Sequence, residues 1–367
     1  MKQHLILLKH ICPGIIMAAL LLTVNFSFTA CNDDNDDSSV TPVDSVTDTF
    51  AKGADVSWVT EMENSGYLFY DSTGIETECM QLLKSYGINA IRLRTWVNPD
   101  NGWCNKEDLL IKAWRAKQLG LRIMIDFHYS DTWADPANQE KPAAWKGLGL
   151  TELTRKLSDY TTDVMETLKA NDITPDWVQV GNETTYGMLW DDEDSISGRL
   201  SANNGANFTQ LYNAGYDAIK SIFPEARVIV HIDRGQRADL TENVLSTMKA
   251  NGAKLDVVGL SLYPDTTSWQ TDDESCLANM QQIVDKYRLQ VMVCETGMPW
   301  DASATSRSFL DDLITKTRSL KDEGGNSMGL GIFYWEPECY NGWNSYTEGA
   351  FDNDGAPTQA LKAFLDN

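Results

Sequence analysis

Eight short apolar runs recur along the chain from residue 53, each followed by a polar loop. The runs are rich in Val, Ile and Leu, and several are almost continuously apolar, as expected for parallel strands covered on both faces. They span residues 53–59, 88–96, 121–129, 177–183, 227–233, 255–263, 290–295 and 330–335. Their starts lie 28 to 56 residues apart, which leaves room for a crossover helix in each interval. This spacing predicts an α/β protein whose residues 51–367 form a single (β/α)8 TIM barrel.

A doubly wound sheet in two domains is the alternative arrangement of such elements. Length alone leaves both open, because 367 residues suit either two ordinary domains or one barrel. No GxGxxG turn and no P-loop follows any of the runs, which argues against a nucleotide cofactor and favours the barrel. Amphipathic helices are predicted between the runs at residues 76–86, 107–119, 151–171, 207–223 and 275–287.

The first 30 residues have the pattern of a secretory signal, in which two lysines precede a short apolar run. The following Phe28-Thr29-Ala30-Cys31 resembles a bacterial lipobox, in which Cys31 becomes the lipidated first residue. Residues 31–50 are acidic and then rich in Ser and Thr, a composition that predicts a disordered tether. The protein is therefore expected to be exported and lipid-anchored to the outer membrane. The acidic run favours display on the cell surface over the periplasmic face.

Charge limits the partners that the mature protein can bind. The chain carries 53 Asp and Glu against 30 Lys and Arg, a net charge of -23, which repels nucleic acid, anionic lipid and polyanionic substrates. Contact with the membrane is thus expected only through the lipid anchor, and a monomer is expected. The cysteines beyond Cys31 are odd in number and irregularly spaced, so no disulfide framework or metal motif follows from them.

Polar side chains concentrate at the ends of the predicted strands, where a barrel carries its chemistry. They are Arg92, Arg94, Asp126, His128, Asn182, Glu183, His231, Asp233, Tyr263, Glu295 and Trp335. There is no third histidine after the signal and no HExxH or GxSxG motif, which argues against a catalytic zinc and an α/β-hydrolase triad. A single carboxylate ending an apolar strand would be explained by an ion pair with an arginine such as Arg92. Two of them, Glu183 and Glu295, instead match the pair of carboxyl groups that glycoside hydrolysis requires.

Tryptophan placement supports a carbohydrate substrate. Ten of the 12 tryptophans fall at strand ends or in the loops that follow them, namely Trp58, Trp96, Trp103, Trp133, Trp145, Trp190, Trp269, Trp300, Trp335 and Trp343. Tryptophan is most often a core residue, but flat aromatic faces that stack on sugar rings account better for this bias. A groove with several such faces suits a polymer.

Six segments together resemble a known family. They are Gly53-Ala54-Asp55-Val56-Ser57, Arg92-Leu93-Arg94-Thr95-Trp96-Val97-Asn98-Pro99, His128-Tyr129-Ser130-Asp131-Thr132-Trp133-Ala134-Asp135-Pro136, Lys141-Pro142-Ala143-Ala144-Trp145, Gly181-Asn182-Glu183 and Glu295-Thr296-Gly297. From residue 53 to its end, the chain resembles the arabinogalactan endo-β-1,4-galactanases of glycoside hydrolase family 53. The resemblance implies an endo-acting retaining enzyme that cuts the β-1,4-galactan side chains of pectin.

The resemblance also implies roles for individual residues. Glu295 is expected to be the nucleophile and Glu183 the acid/base. Substrate-site roles are implied for Arg92, Asn182, Tyr263, His128, His231, Trp335, Asp126, Trp96 and Trp300. Arg92 would keep Glu295 ionised, Asn182 would bind the sugar 2-hydroxyl, and Tyr263 would orient the nucleophile. A retaining mechanism further predicts that the two carboxyl groups lie about 5 to 5.5 Å apart.

Some alternatives remain open from the sequence alone. A β-mannanase or cellulase of the same clan shares the two-glutamate arrangement, and a surface glycan-binding lipoprotein would keep the groove without turnover. No cofactor is required by the implied mechanism. The loop after Glu295 is shorter than the loop that carries calcium ligands in some bacterial relatives. Asp352 and Asp354 are the remaining candidate ligands for a structural calcium ion, although a solvated acidic loop explains them as well.

Overall fold

The computed structural model describes residues 49–190 and 197–367, which form one closed barrel with surrounding helices. Eight parallel strands pair in sequential order and β8 pairs with β1. They are β1 (Ala51–Asp55), β2 (Ala90–Thr95), β3 (Arg122–Phe127), β4 (Trp177–Val180), β5 (Arg227–Ile232), β6 (Val257–Leu262), β7 (Gln290–Thr296) and β8 (Gly329–Trp335). The predicted (β/α)8 fold is confirmed. The predicted signal segment, Cys31 and the tether up to residue 48 lie outside the described residues.

Helices follow each strand in the described part of the chain. They are α1 (Val59–Asn64), α2 (Cys79–Ser85), α3 (Lys106–Gln118), α4 (Leu150–Ala170), α5 (Ala206–Ile222), α6 (Ala238–Ala250), α7 (Trp269–Tyr287), α8 (Ser303–Ser319) and α9 (Lys362–Asp366). α7 begins six residues before the predicted start, because its first two turns are polar and give no apolar periodicity. Over the ranges that the structure describes, no helix combines the length and apolar character needed to cross a membrane.

An apolar lower layer of side chains and a polar upper layer around Arg92 lie inside the barrel. Trp177 of β4 contacts Phe333 of β8 across the barrel interior, and the centroids of the two aromatic rings lie 6.2 Å apart. These rings belong to a buried apolar cluster at the amino-terminal end of the strands. Gly53 makes room for this packing, because a Cβ atom there would lie 2.2 Å from the Phe333 ring. The lower layer therefore closes the barrel and leaves the polar residues of the upper layer facing the loops.

A register shift in β7 sets the direction of its last side chains. Leu260 of β6 pairs with Val293, but the next residue, Ser261, pairs with Glu295, so Cys294 is an extra residue in β7. Cys294 is part of the buried interior cluster, and Glu295 lines the cleft above it. Consecutive residues of a regular strand face opposite sides. The bulge therefore lets both Cys294 and Glu295 face the inside of the barrel.

Candidate active site

An open cleft of about 970 Å³ lies at the carboxyl ends of the strands. Both predicted carboxylates, Glu183 and Glu295, line this cleft, together with Asn182, His128 and Tyr263. These five residues lie at the ends of four different strands or in the loops directly after them. The four strands are far apart along the chain. The closed parallel barrel brings these positions to one end, as the sequence predicts.

Glu295 at the end of β7 is held by one cation and one hydroxyl. Its Oε1 atom lies 2.8 Å from Nη2 of Arg92, and its Oε2 atom accepts a hydrogen bond of 3.2 Å from the Tyr263 hydroxyl. Burial raises the pKa of Glu295, since only 6% of the residue is exposed, while Arg92 and Tyr263 oppose this rise. Arg92 and Tyr263 thus favour the ionised carboxylate, the state that a nucleophile needs.

Arg92 is the centre of a buried charge network beneath the cleft. Its guanidinium contacts Asp55 at 2.7 Å and Asp126 at 2.9 Å in addition to Glu295. It also donates hydrogen bonds to Asn182 Oδ1 at 3.0 Å and to Gln179 Oε1 at 3.2 Å. Because arginine stays protonated and presents five donors in a rigid fork, it can fix several acceptors at once.

Glu183 lies three residues after the end of β4 in a sharply turned segment. Gly181 has φ 83°, and a Cβ atom there would lie 2.6 Å from the Thr184 side chain. Glu183 itself has φ 46°, in the left-handed region that non-glycine residues rarely adopt. The predicted strand therefore ends at Val180 instead of Glu183. Such strain is kept only where the surroundings determine it, and it clusters at functional sites.

The two carboxyl groups differ in their electrostatic surroundings. Burial and the nearby charge of Glu295 raise the pKa of Glu183 well above its ordinary range, and the Ser261 hydroxyl partly opposes this. Glu295 has the arginine contact that Glu183 lacks in the described structure. The surroundings therefore raise the pKa of Glu183 more than that of Glu295, so Glu183 is the better placed of the two to keep a proton. This is one acid and one nucleophile or base within one cleft.

His128 and Asp126 lie on one side of the pair. His128 Nε2 lies 3.0 Å from Asp126 Oδ2, and its Nδ1 accepts hydrogen bonds from the Trp96 ring and the Ala134 amide. These donors place the ring proton on Nε2, which donates to Asp126. Asn182 donates from Nδ2 to the Ala134 carbonyl at 2.8 Å. The structure thus brings the predicted residues Asp126, His128 and Asn182 into one network with Arg92.

Tryptophan rings form one wall of the cleft. Four of the ten predicted tryptophans line it, namely Trp58, Trp96, Trp133 and Trp335. They contact one another edge to face, and the Arg94 guanidinium lies 4.4 Å from the centre of the Trp133 ring and 4.9 Å from that of Trp58. Trp133 and Trp335 are half-buried, whereas Trp58 and Trp96 are buried.

Trp300, the remaining tryptophan among the predicted substrate-site residues, lies beside the cleft. Trp300 begins the short 3-10 helix Trp300–Ala302 after β7, and its amide donates to the carbonyl of Thr347, which does line the cleft. Among the described residues, the cleft lining does not include Trp300. Trp269 of α7 packs on Phe309 of α8, and Trp145 in the loop after β3 packs on Tyr160 of α4, so these two contribute to packing outside the barrel.

A second buried carboxyl pair supports the aromatic wall from below. Glu336 forms an ion pair with Arg94 and accepts a hydrogen bond of 3.1 Å from the Trp58 amide. Glu338 is fully buried beside Glu336, and neither of its carboxyl oxygens has a hydrogen-bond partner among the described residues. Burial and the adjacent Glu336 raise the pKa of Glu338 well above its ordinary range. This environment favours the protonated form of Glu338 over its ionised form.

The candidate calcium ligands are placed in a turn after β8. Asp352 Oδ1 accepts hydrogen bonds from the backbone amides of Asp354 and Ala356 at 3.0 and 2.9 Å. One oxygen of Asp352 is therefore used to stabilise its own turn. This agrees with the alternative explanation of Asp352 and Asp354 as part of a solvated acidic loop. Within the described ranges, the group of acidic and thiol side chains close enough to hold an ion is instead Glu336, Glu338 and Cys339.

Sequence reasoning missed Ser261 and Gln179, two polar residues inside strands. Ser261 donates a hydrogen bond of 2.7 Å to Glu183, and Gln179 joins Arg92 to Asp126. Ser261 lies two positions before Tyr263, which the sequence did mark, whereas no marked position points to Gln179.

Comparisons with known proteins agree with this geometry. The sequence profile of the family described as glycosyl hydrolase family 53 matches residues 51–364. An uncharacterised protein in the bgaB 5′ region of Niallia circulans is 36% identical over 353 residues, covering 87% of this chain and 95% of that protein. The arabinogalactan endo-β-1,4-galactanase of Thermothelomyces thermophilus is 32% identical over 338 residues, covering 85% and 98%. A solved fungal β-1,4-galactanase superposes with a TM-score of 0.77 at 29% identity, covering 86% and 98%.

Proposed function

Because the chain belongs to glycosyl hydrolase family 53, we propose that it is an arabinogalactan endo-β-1,4-galactanase acting with retention of anomeric configuration. The observation that carries the proposal is the pair of unlike carboxyl groups in an open cleft, with Glu295 against Arg92 and the pKa of Glu183 raised by its surroundings. Relatives named as galactanases favour galactan over the mannan and cellulose substrates of the same clan. Both carboxyl groups are present, which argues against a glycan-binding protein without turnover.

The proposed reaction gives each of the two carboxyl groups one role. Glu295 attacks the anomeric carbon while Glu183 gives its proton to the glycosidic oxygen, so the bond to the leaving sugar breaks and a glycosyl-enzyme forms. Glu183, now ionised, takes a proton from water, whose oxygen bonds to the anomeric carbon and releases Glu295. Trp133 and Trp335 offer apolar faces to sugar rings along the cleft. The open shape of the cleft suits internal cleavage of a polymer.

Product analysis with the purified mature protein tests this function. Linear β-1,4-galactan should yield a series of short oligosaccharides early in the reaction, as an endo-acting enzyme produces. Mannan and carboxymethylcellulose are the comparison substrates. Faster release of reducing sugar from either of these, or release of galactose alone, would contradict the proposal.

We also propose that the protein is exported and lipid-anchored to the outer membrane, with its barrel at the cell surface. The proposal rests on the signal-like segment, on Cys31 after Ala30, and on the acidic residues that follow. A Cys31→Ala variant should lose metabolic labelling with an alkyne fatty acid and leave the membrane fraction. Protease added to intact cells should digest the wild-type protein, and its resistance would indicate the periplasmic face instead.

A monomer without a required metal is the simplest form of such an enzyme, and we propose that form. The proposed steps use two carboxyl groups of one chain, so no second subunit contributes to the reaction. Light scattering coupled to gel filtration should give one chain mass for the mature protein.

A further inference from the structure

Ser261 on β6 lies between the acid/base carboxyl group and a buried histidine. Its Oγ atom donates to Glu183 Oε1 at 2.7 Å and lies 2.9 Å from Nε2 of His231. Only 2% of Ser261 is exposed, and His231 is fully buried. The three side chains come from β5, β6 and the loop after β4, so their alignment is a product of the barrel and not of local sequence.

The contacts of the histidine ring fix the direction of these hydrogen bonds. The backbone N–H of Glu183 points at Nδ1 of His231 at 3.2 Å, so this nitrogen accepts and carries no proton. Gln179 Nε2 lies 2.9 Å from the same nitrogen and adds a second donor. Asn182 Oδ1 also lies 3.0 Å from Nδ1 and could accept a proton there, but the Glu183 N–H donates to Nδ1, so this nitrogen has no proton to give. The ring proton is therefore on Nε2.

The histidine is also held neutral by its surroundings. Burial and the Arg92 charge lower the pKa of His231 well below its ordinary range, although Asp126 opposes them. A neutral ring with its proton on Nε2 donates to the Ser261 oxygen. The single hydroxyl hydrogen of Ser261 must then point to Glu183 Oε1.

We propose that Ser261, oriented by His231, is a positioning residue for the acid/base Glu183. Its hydroxyl hydrogen occupies Oε1, which leaves the acidic proton on Oε2. When Glu183 gives that proton to the glycosidic oxygen, the same hydroxyl stabilises the resulting carboxylate. The inference rests on the proposed function, since it concerns the proton transfer of that reaction.

Other charged groups also face Glu183 and set the background against which Ser261 acts. Glu295 and Asp233 disfavour the ionised form of Glu183, and Arg92 favours it. None of these groups is altered by a substitution at Ser261. Removing the hydroxyl takes away a donor to the ionised form, so the pKa of Glu183 should rise further.

A matched pair of variants tests the proposal. Ser261→Thr keeps the hydroxyl, whereas Ser261→Val has the same shape without it. Relative to the Thr variant, the Val variant should lose about 10- to 100-fold in kcat/KM on galactan, the loss expected for one hydrogen bond to a charged group. On a 2,4-dinitrophenyl β-galactobioside, whose leaving group needs no proton, the two variants should agree within about 3-fold. The basic limb of kcat/KM should lie at higher pH in the Val variant.

The results that would overturn the inference differ from those that would overturn the proposed function. Equal losses on both substrates with an unshifted basic limb would show a merely structural role and overturn the inference, as would equal activity of the Thr and Val variants. Should the Val variant fail to fold, judged by its thermal unfolding, Ser261→Ala against wild type provides the same comparison, because it only removes an atom. A wild-type protein that does not cleave galactan would overturn the proposed function instead.

Discussion

Nη2 of Arg92 lies 2.8 Å from Oε1 of Glu295, and the same guanidinium contacts Asp55 and Asp126. One buried cation thus faces three carboxylates, so the cluster carries an excess of negative charge. The structure offsets this excess with hydrogen bonds from Tyr263, Gln179 and His128. The nucleophile therefore belongs to an extended network, and its ionisation depends on partners from several strands.

Replacing either carboxyl group by an amide should separate their roles. We expect Glu295→Gln to lower kcat on galactan by more than about 10⁴-fold, because the amide cannot form the glycosyl-enzyme. Glu183→Gln should lower it by about 10²- to 10⁴-fold, the usual contribution of general acid catalysis. Retained activity in the Glu295 variant would contradict the assignment.

Small nucleophiles provide the control for that assignment. With azide, Glu183→Ala should form a β-galactosyl azide and Glu295→Ala an α-galactosyl azide, as nuclear magnetic resonance can distinguish. Retention of configuration in the wild-type reaction would agree with carboxyl groups about 5 to 5.5 Å apart, and inversion with a gap of about 6.5 to 9.5 Å.

The pH profile should be bell-shaped, because turnover needs Glu295 ionised and Glu183 protonated. Burial raises the pKa of Glu295 above its ordinary value, and burial with the Glu295 charge raises that of Glu183 further. Tyr263→Phe removes a donor to the ionised nucleophile, so the acid limb should move to higher pH while the basic limb stays in place. A shift of the basic limb alone would count against this account.

Stability should depend on pH through Glu338. Its pKa is higher in the folded than in the unfolded protein, so its contribution is complete at low pH and is lost as pH rises through the folded value. For each unit by which the folded pKa exceeds the unfolded pKa, the free energy of unfolding falls by about 1.4 kcal/mol once the glutamate is ionised in both states. Glu338→Gln keeps the size and shape of the side chain without a titrating proton. Its unfolding temperature should fall less than that of wild type as the pH rises above about 4.3, where the unfolded glutamate ionises.

An exposed glutamate serves as the control for that comparison. Glu274→Gln on α7 removes the same charge from the surface and should leave the pH dependence of the unfolding temperature unchanged. If both variants flatten the dependence equally, net charge and not the buried pair is responsible.

Trp335 should contribute to binding of the polymer. Trp335→Ala is expected to lower kcat/KM on galactan by about 10-fold, which corresponds to the loss of roughly 1.4 kcal/mol of ring contacts. Trp114 is the matched control, because it is 53% exposed on α3 and is not among the residues that line the cleft. Equal effects of Trp114→Ala and Trp335→Ala would contradict a role for the cleft wall.

Metal removal should leave both activity and stability unchanged. Asp352 uses one carboxylate oxygen to hold its own turn, and the proposed chemistry needs only carboxyl groups. Treatment with EDTA should therefore shift the unfolding temperature by less than about 1 °C, well under the roughly 2 to 4 °C expected for each kcal/mol of lost binding. A larger shift that calcium reverses would identify a structural ion.

The sequence predicts the fold and the two central carboxylates because both depend on simple regularities. Eight apolar runs at crossover spacing give the barrel, and strand ends converge in it, so Glu183 and Glu295 must meet. Ser261 and Gln179 were missed because a small polar residue inside a strand has no distinct pattern. The choice of four wall tryptophans from ten depends on the paths of the loops, which no local signal encodes.

The extra residue in β7 matters for anyone who would redesign this protein. Counting alternate positions from Met292 assigns Glu295 to the helix side of the strand, and only the irregularity at Cys294 reverses that assignment. Smoothing β7 into an ideal strand of the same length would keep every residue and every neighbouring strand. It would nevertheless turn the Glu295 carboxylate away from the cleft and toward the surrounding helices. An idealised backbone here should therefore give a stable but inactive protein.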